Sequence, residues 1–430
     1  MKYNTQNAKI ASIKEETLVL GIDVGSETHY VRAFDWRNYE FSDKPLAFSN
    51  DEAGFLTFMA WVEDIKEKAG KTAVIPGMEP TGHYWFNLGK FLQDSGMRPV
   101  HVNPHHVKKS KEMDDNNPDK NDRKDPKTIA ALVNEGRFSY PYIPTGVYAE
   151  IRSLSNLRFQ TQEEITRIRN RIARWISIYF PEYKDVYGEL DTVSGMMVLQ
   201  EAPLPMKIKE LGAEGINQIW RNAKLRGVGM KRAKTLLSAA EHSVGSQEAP
   251  EAASMEIRNL LEDYGKYSRR MDDLMVKIEE KIKEIPYVDK LLEIKGIGLK
   301  TVCGFIAEVG DLSRFDDPKQ VQKLAGYAIV KNSSGKHAGE SHISYRGRKR
   351  LRYVLYEAAI SVIGKNSEFR EIHQYYQTRE KNPLKKMQSV VTVACKVLRV
   401  FYAILTKGVD YDGEKMLGDI RRPERGVQAA

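Results

Sequence analysis

The chain has 430 residues, enough for two or three domains with sizeable cores. Lysine and arginine outnumber aspartate and glutamate by 67 to 58, a net charge of +9, which favours a polyanionic partner such as nucleic acid. No apolar run reaches the ~20 residues of a membrane span, no signal-peptide pattern opens the chain, and its two cysteines, Cys303 and Cys395, lack metal-ligand spacing; a cytoplasmic protein with no membrane partner is expected.

Residues 1–16 are polar and read as a loose tail. Leu18 to Ile22 is a mostly aliphatic run that ends in a lone carboxylate, Asp23, bracketed by Gly21 and Gly25, and His29 to Phe34 follows as a second strand. A carboxylate near mid-sheet costs several kcal/mol unless something positive sits against it, so a metal ion is one candidate partner. The glycines would let a phosphate or a nucleic-acid backbone approach, and a plain Asp–Gly turn is the alternative. Pro45 to Phe48 is a third extended piece. Phe55, Phe58, Met59, Trp61, Val62 and Ile65 then form a helical stripe that Asn50 or Asp51 would cap. A strand from Thr72 ends in Glu79, a helix spans Tyr84 to Asp94, and Pro99 to Val102 is again strand, so the N-terminal region predicts an α/β domain.

Residues 105–128 are strongly charged. Pro126 suits the first position of a helix and Asp125 its cap, which brings Asp122 and Asp125 near one another. Alone, this is a capped helix after a charged loop. Taken with Asp23 and Glu79, it gives four carboxylates on one rim of an α/β sheet, and such a cluster calls for cations; oxygen-only ligation suits Mg²⁺ or Mn²⁺. Two such ions are a standard device for phosphodiester chemistry.

Beyond about residue 148 the pattern is helical. Leu154, Leu157, Ile165, Ile168, Ile172, Trp175 and Tyr179 form one stripe; Ile257, Leu260, Tyr264, Tyr267, Met271, Leu274 and Ile278 form another, continued at Ile282 and Ile285. An antiparallel coiled coil, within or between chains, and a plain bundle core both fit. Between the stripes lies Leu225-Arg226-Gly227-Val228-Gly229-Met230-Lys231, echoed downstream by Ile294-Lys295-Gly296-Ile297-Gly298-Leu299-Lys300. A Gly-x-Gly hairpin that opens a helix offers backbone N–H groups to a phosphate, as helix-hairpin-helix modules do; a ligand-free turn is as compatible with the first copy. Further on, Asn332-Ser333-Ser334-Gly335-Lys336 is an ordinary polar turn by itself. It precedes Arg346, Arg348, Lys349, Arg350 and Arg352, five basic residues within seven positions that could hold phosphates either side of a scissile bond, with a serine as nucleophile.

Gly21-Ile22-Asp23-Val24-Gly25, Glu79-Pro80-Thr81-Gly82-His83-Tyr84-Trp85, Val102-Asn103-Pro104 and Asp122-Arg123-Lys124-Asp125 closely resemble the RuvC-like domain of DEDD-type insertion-sequence transposases, also called bridge recombinases. One departure is Pro126, where that family more usually has alanine, which bears on the aim of Asp125. The segment from about Leu291 to Tyr356 resembles the C-terminal domain of the same transposases, with Ser334 matching their nucleophile and Ser333 the less favoured register.

The resemblance implies an RNase H-like (RuvC-like) N-terminal domain over 17–147, a helical coiled-coil region over 148–286 and a mainly α C-terminal domain with a helix-hairpin-helix-like motif over 287–410; residues 411–430 are read as a tail, polar and disordered from Gly413 to Ala430. It implies Asp23, Glu79, Asp122 and Asp125 as ligands of Mg²⁺ or Mn²⁺, and Ser334 as the residue that attacks DNA. Nucleic-acid contacts are expected at Gly296, Gly298, Lys300, Lys336, Arg346, Arg348, Lys349 and Arg350. The implied partners are DNA (element ends and target), a structured guide RNA and further copies of the chain in a homodimer or homotetramer.

Three rivals have distinct signatures. A RuvC-like nuclease would cut without the serine. An actin-like phosphotransferase, suggested by Asp23-Val24-Gly25-Ser26, would need a second Asp-x-Gly phosphate motif and an adenosine motif, and neither is found. A non-catalytic nucleic-acid-binding protein would leave the carboxylates unexplained.

Overall fold

The computed structural model describes residues 6–42, 44–80, 82–114, 125–330, 333–334, 337–338 and 342–421. The chain divides into two compact units, Met1–Ile143 and Pro144–Ala430. The first is built on a mixed sheet and the second is mainly helical, in line with the coarse architecture expected.

In the first unit, β1 (Thr17–Asp23) and β2 (Thr28–Phe34) pair antiparallel, and β3 (Leu46–Ser49) continues that edge. On the other side β1 runs parallel to β4 (Ala73–Met78), which is parallel to β5 (Val100–Val102), and β6 (Phe138–Ser139) closes the sheet antiparallel. The order is β3-β2-β1-β4-β5-β6, so β1 is central. Centrality explains its composition: both faces are covered, so no polar alternation is needed. Leu18, Leu20 and Ile22 meet Phe58 and Val62 of α2 (Glu52–Ala69) and Leu88 and Leu92 of α3 (Trp85–Asp94). Val19 faces the opposite core, with Val107 of α4 (Pro104–Asp114) and Ile129, Leu132 and Val133 of α5 (Asp125–Asn134). Asp51 caps α2, its Oδ1 accepting from the Gly54 N–H at 2.8 Å, and Gly70 ends the helix at φ 61°.

One expectation needs correction here. Residues Gln6–Ala11 form a helix, α1, within the stretch read as a loose tail. Its polar side chains are tied down by tertiary contacts that local sequence does not announce: Gln6 donates to the Glu135 carbonyl at 2.9 Å, and the Lys9 ammonium donates to the Phe138 carbonyl and lies over that residue's ring.

The second unit is organised by two long helices, α6 (Gly146–Tyr179) and α11 (Pro250–Ile282). They pair antiparallel within the chain: the Trp175 indole N–H donates to the Ala253 carbonyl at 2.8 Å, while at the far end Glu150 lies near Lys281. The connection between them is a small helical module, α7 (Tyr183–Tyr187), α8 (Val193–Glu201), α9 (Pro205–Asn222, broken at Gly212) and α10 (Met230–Glu241). Its core gathers Trp175, Phe180, Tyr183, Trp220 and Leu236.

A further core follows, built from α12 (Val288–Leu292), α13 (Leu299–Val309), α14 (Pro318–Leu324), α15 (Lys349–Lys365), α16 (Ser367–Thr378), α17 (Lys386–Lys407) and α18 (Gly413–Arg421). Between α14 and α15 run four two-residue strands, β7 (Ile329–Val330), β8 (Ser333–Ser334), β9 (His337–Ala338) and β10 (His342–Ile343).

Two more corrections arise in this unit. The C-terminal stretch expected to be a tail continues as α18, because Met416 and Leu417 bury against the core. And α17 is long and apolar enough, by length and composition, to cross a membrane, although no such segment was expected. Its charged Lys396 and Arg399 break a simple run of apolar residues, while the mean hydropathy stays high despite them. Val390, Val393, Val397, Leu398 and Phe401 of α17 are buried in the protein core, so in this fold it is an interior helix.

Candidate active site and nucleic-acid contacts

Strands β1 and β4 are parallel with Ile22 opposite Met78, so Asp23, the last residue of β1, and Glu79, next after β4, leave neighbouring strands at the same end of the sheet. Asp125 is the first residue of α5, and this helix lies directly on β1. The contact is close enough that a Cβ on Gly21 would stand 1.7 Å from the Pro126 carbonyl oxygen, and one on Gly77 would stand 2.5 Å from Val133. Gly21 therefore serves helix–strand contact. Pro126 is buried in that contact, and Asp125 itself is only 8% exposed.

The turn after Asp23 is also fixed. The Gly25 N–H donates to Nδ1 of His29 at 3.2 Å, and the ring of His29 lies against Phe48 and Phe55. Burial pushes the imidazole pKa down, which keeps the ring neutral and able to accept that bond. His29 was read only as a strand residue; its role depends on a turn that folds back four residues.

Charge on this rim is partly balanced within the chain. Lys111 of α4 ion-pairs with Asp125. The Glu79 carboxyl is pushed above the usual range chiefly by burial; Lys111 opposes that rise and the Asp125 charge adds to it. Lys111 thus pairs with one carboxylate and its charge acts on the other. Sequence reading passed over it among the lysines of residues 108–111, although it sits four positions after the buried Val107 and so shares its helical face. Asp122 lies outside the described residues. Among those described, no group of three or more His, Cys, Asp or Glu side chains is arranged to hold a metal ion.

In the second unit, Ser333 and Ser334 form β8, with Ser334 paired across from His337, and Lys336 lies outside the described residues. The basic run is divided in its work. Arg348 pairs with Glu308 and donates to that residue's carbonyl, joining the start of α15 to the end of α13. Arg350 reaches Asn156 at 2.6 Å and lies over the Phe159 ring of α6, and Arg352 donates to the carbonyls of Ala325 and Tyr345 at 3.1 and 3.2 Å. Arg346, Lys349 and Arg350 are exposed.

The two Gly-x-Gly hairpins also differ. Gly296 packs under α15, where a Cβ would be 3.1 Å from the Ser361 carbonyl oxygen and from Val362 Cα, and the Ser361 hydroxyl donates to the Gly296 carbonyl at 2.7 Å. Gly298 and Lys300 face open space and solvent respectively. At the first copy, a Cβ on Gly227 would meet nothing within 4 Å and one on Gly229 only the guanidinium tip of Arg221.

Residues 20–181 match the DEDD transposase family model of the IS110 group, and residues 288–376 match the transposase IS116/IS110/IS902 family. The chain is 24% identical over 400 residues to the uncharacterized 44.8 kDa protein of insertion element IS116 from Streptomyces clavuligerus, covering 92% of this chain and 96% of that one. It is 22% identical to the 42 kDa protein of insertion element IS900 from Mycobacterium paratuberculosis, covering 90% and 94%. Similarity to the pilin gene-inverting protein of Moraxella lacunata is 24% over 263 residues, 56% of this chain and 78% of that one. These matches define an enzyme that transposes or recombines DNA. The chain belongs to the DEDD insertion-sequence transposase family.

Proposed function

We propose that the chain is the transposase of a mobile insertion sequence and that it cuts and rejoins DNA through a phosphoserine intermediate on Ser334. The observation that most supports the reading is the common rim of Asp23, Glu79 and Asp125, which leave two parallel strands and a helix start at one end of a sheet. That arrangement fits an RNase H-like, RuvC-like domain. The donors are oxygen-only and acidic, the kind that Mg²⁺ or Mn²⁺ takes: Asp23, Glu79 and Asp125 together with Asp122 would hold the ion once drawn together, in place of the Lys111 pairing of Asp125. Such an ion would supply positive charge for the developing charge on phosphate and leaving oxygen.

The chain's own residues carry the transfer. Ser334 Oγ bonds to phosphorus, the bridging P–O bond to one deoxyribose breaks, and the serine proton goes to the departing oxygen. A hydroxyl of another strand reverses the exchange, restoring a phosphodiester and the free serine. Lys300, Lys336, Arg346 and Lys349, with the backbone of Gly296 and Gly298, contact phosphates, while Arg348 and Arg350 hold the scaffold of that surface through Glu308 and Asn156. The reading includes a structured guide RNA, assembly of two or four copies, and action in the cytoplasm, where the DNA is; net charge and family membership support these.

The test incubates the protein, the RNA flanking its element and a circularised element junction with Mg²⁺, and looks for an SDS-resistant protein–DNA adduct. Wild type is expected to form it, and Ser334→Ala and Asp23→Asn are expected to lose it. Cleaved DNA with no adduct would overturn serine chemistry and leave a metal-dependent nuclease.

A further inference from the structure

The module between the two long helices carries a second charged surface, which the reading above does not use. From Gly215 to Ala240 there are six basic residues and no acidic one. Arg221 and Arg232 are committed to structure: Arg221 reaches back to the Val228 carbonyl at 3.4 Å, and Arg232 donates to the Val186 carbonyl and lies over the Tyr187 ring. These two contacts brace the hairpin against its own helix and against α7. The other four, Lys224, Arg226, Lys231 and Lys234, are exposed, and no described carboxylate pairs with them.

Four exposed cations concentrated on one braced hairpin make a locally positive surface that attracts a polyanion. The hairpin surface is concave, an open hollow lined by Gly227, Val228, Gly229, Met230, Lys231 and Thr235. Gly229 caps α10 without any side-chain bond, so the first-turn N–H groups are uncapped at the same spot. In the downstream hairpin the first glycine, Gly296, packs against α15, whereas its counterpart here, Gly227, is open.

We propose that the Ala223–Lys234 hairpin is a docking surface for the sugar–phosphate backbone of duplex DNA, separate from the segment that carries Ser334. Duplex DNA is the occupant because the family rearranges DNA and closely spaced cations beside exposed backbone N–H groups suit a regular phosphate path. The inference rests on the DNA-recombinase reading, but it is a binding claim and needs no strand chemistry.

The experiment measures binding of the full chain to labelled mixed-sequence duplex DNA by fluorescence anisotropy over a salt series. Wild type is compared with the combined variant Lys224→Ala, Arg226→Ala, Lys231→Ala and Lys234→Ala. Each phosphate contact contributes about 0.9 to the slope of log affinity against log salt, so the variant is expected to bind roughly 10- to 100-fold more weakly, with a slope shallower by about 2–4. An unchanged slope and affinity would overturn the proposal.

A second measurement, on unmodified protein, guards against misfolding of the variant. Acetylation of Lys224, Lys231 and Lys234 is followed by mass spectrometry with and without the same duplex. Protection is expected; equal reactivity, or protection by structured RNA alone, would overturn the assignment to duplex DNA. Failure of the recombinase reading shows separately, as wild-type protein that makes no adduct whatever the hairpin binds.

Discussion

The two Gly-x-Gly hairpins share a sequence pattern and differ in what their glycines do. At Gly296 the chain turns with φ 98° beneath a helix, so the missing side chain is a condition of packing. At Gly227 it turns with φ 81° into open space, so only the backbone conformation is demanded. The difference teaches that a short motif specifies a turn, while its neighbours in space decide whether the turn is a joint or a surface.

Single substitutions sharpen that comparison. Gly296→Ala adds left-handed strain to a contact with the backbone of α15, and we expect a loss of about 2–4 kcal/mol in a denaturant titration that follows the helical unit. Gly227→Ala carries the strain alone and is expected to cost about 1–2 kcal/mol. Ser361→Ala removes the hydroxyl that holds the Gly296 carbonyl and is expected to cost about 1 kcal/mol, with no counterpart at the first hairpin. Gly298→Ala, at an extended φ of −119° with nothing near, should stay within about 0.5 kcal/mol of wild type. Equal costs at Gly296 and Gly227 would break the comparison, because they would mean that α15 does not press on the second turn.

Much of the sheet unit was legible in advance. A strand covered on both faces must be aliphatic along its length, and β1 announces itself in that way. Its parallel neighbour β4 ends at Met78, opposite Ile22, so Glu79 follows it at the same end of the sheet as Asp23. The cap at Asp51 was legible too, since helix entry has a local chemistry. What escaped was set by distance. Gly21 suggested room for a phosphate, yet its space is filled by Pro126, about a hundred residues later in the chain. Lys111 looked like one more surface lysine until α4 brought it onto Asp125, where its charge also reaches Glu79. The basic run at the start of α15 read as one phosphate-binding block, but Arg348 and Arg352 turn to Glu308 and to two backbone carbonyls, and Arg350, though exposed, also reaches Asn156. Terminal helices α1 and α18 were missed because each is short and is held by a few contacts to a distant element, with no long apolar stripe of its own to give it away.

The most direct measurement of the central claim maps the covalent bond itself. The SDS-resistant adduct formed with Mg²⁺, RNA and junction DNA would be digested with protease and nuclease, and the nucleotide-bearing peptide sequenced by mass spectrometry. The account predicts a single nucleotide-bearing residue, Ser334. A nucleotide on Ser333 or any other residue, or fully cut DNA with unmodified protein, would contradict it.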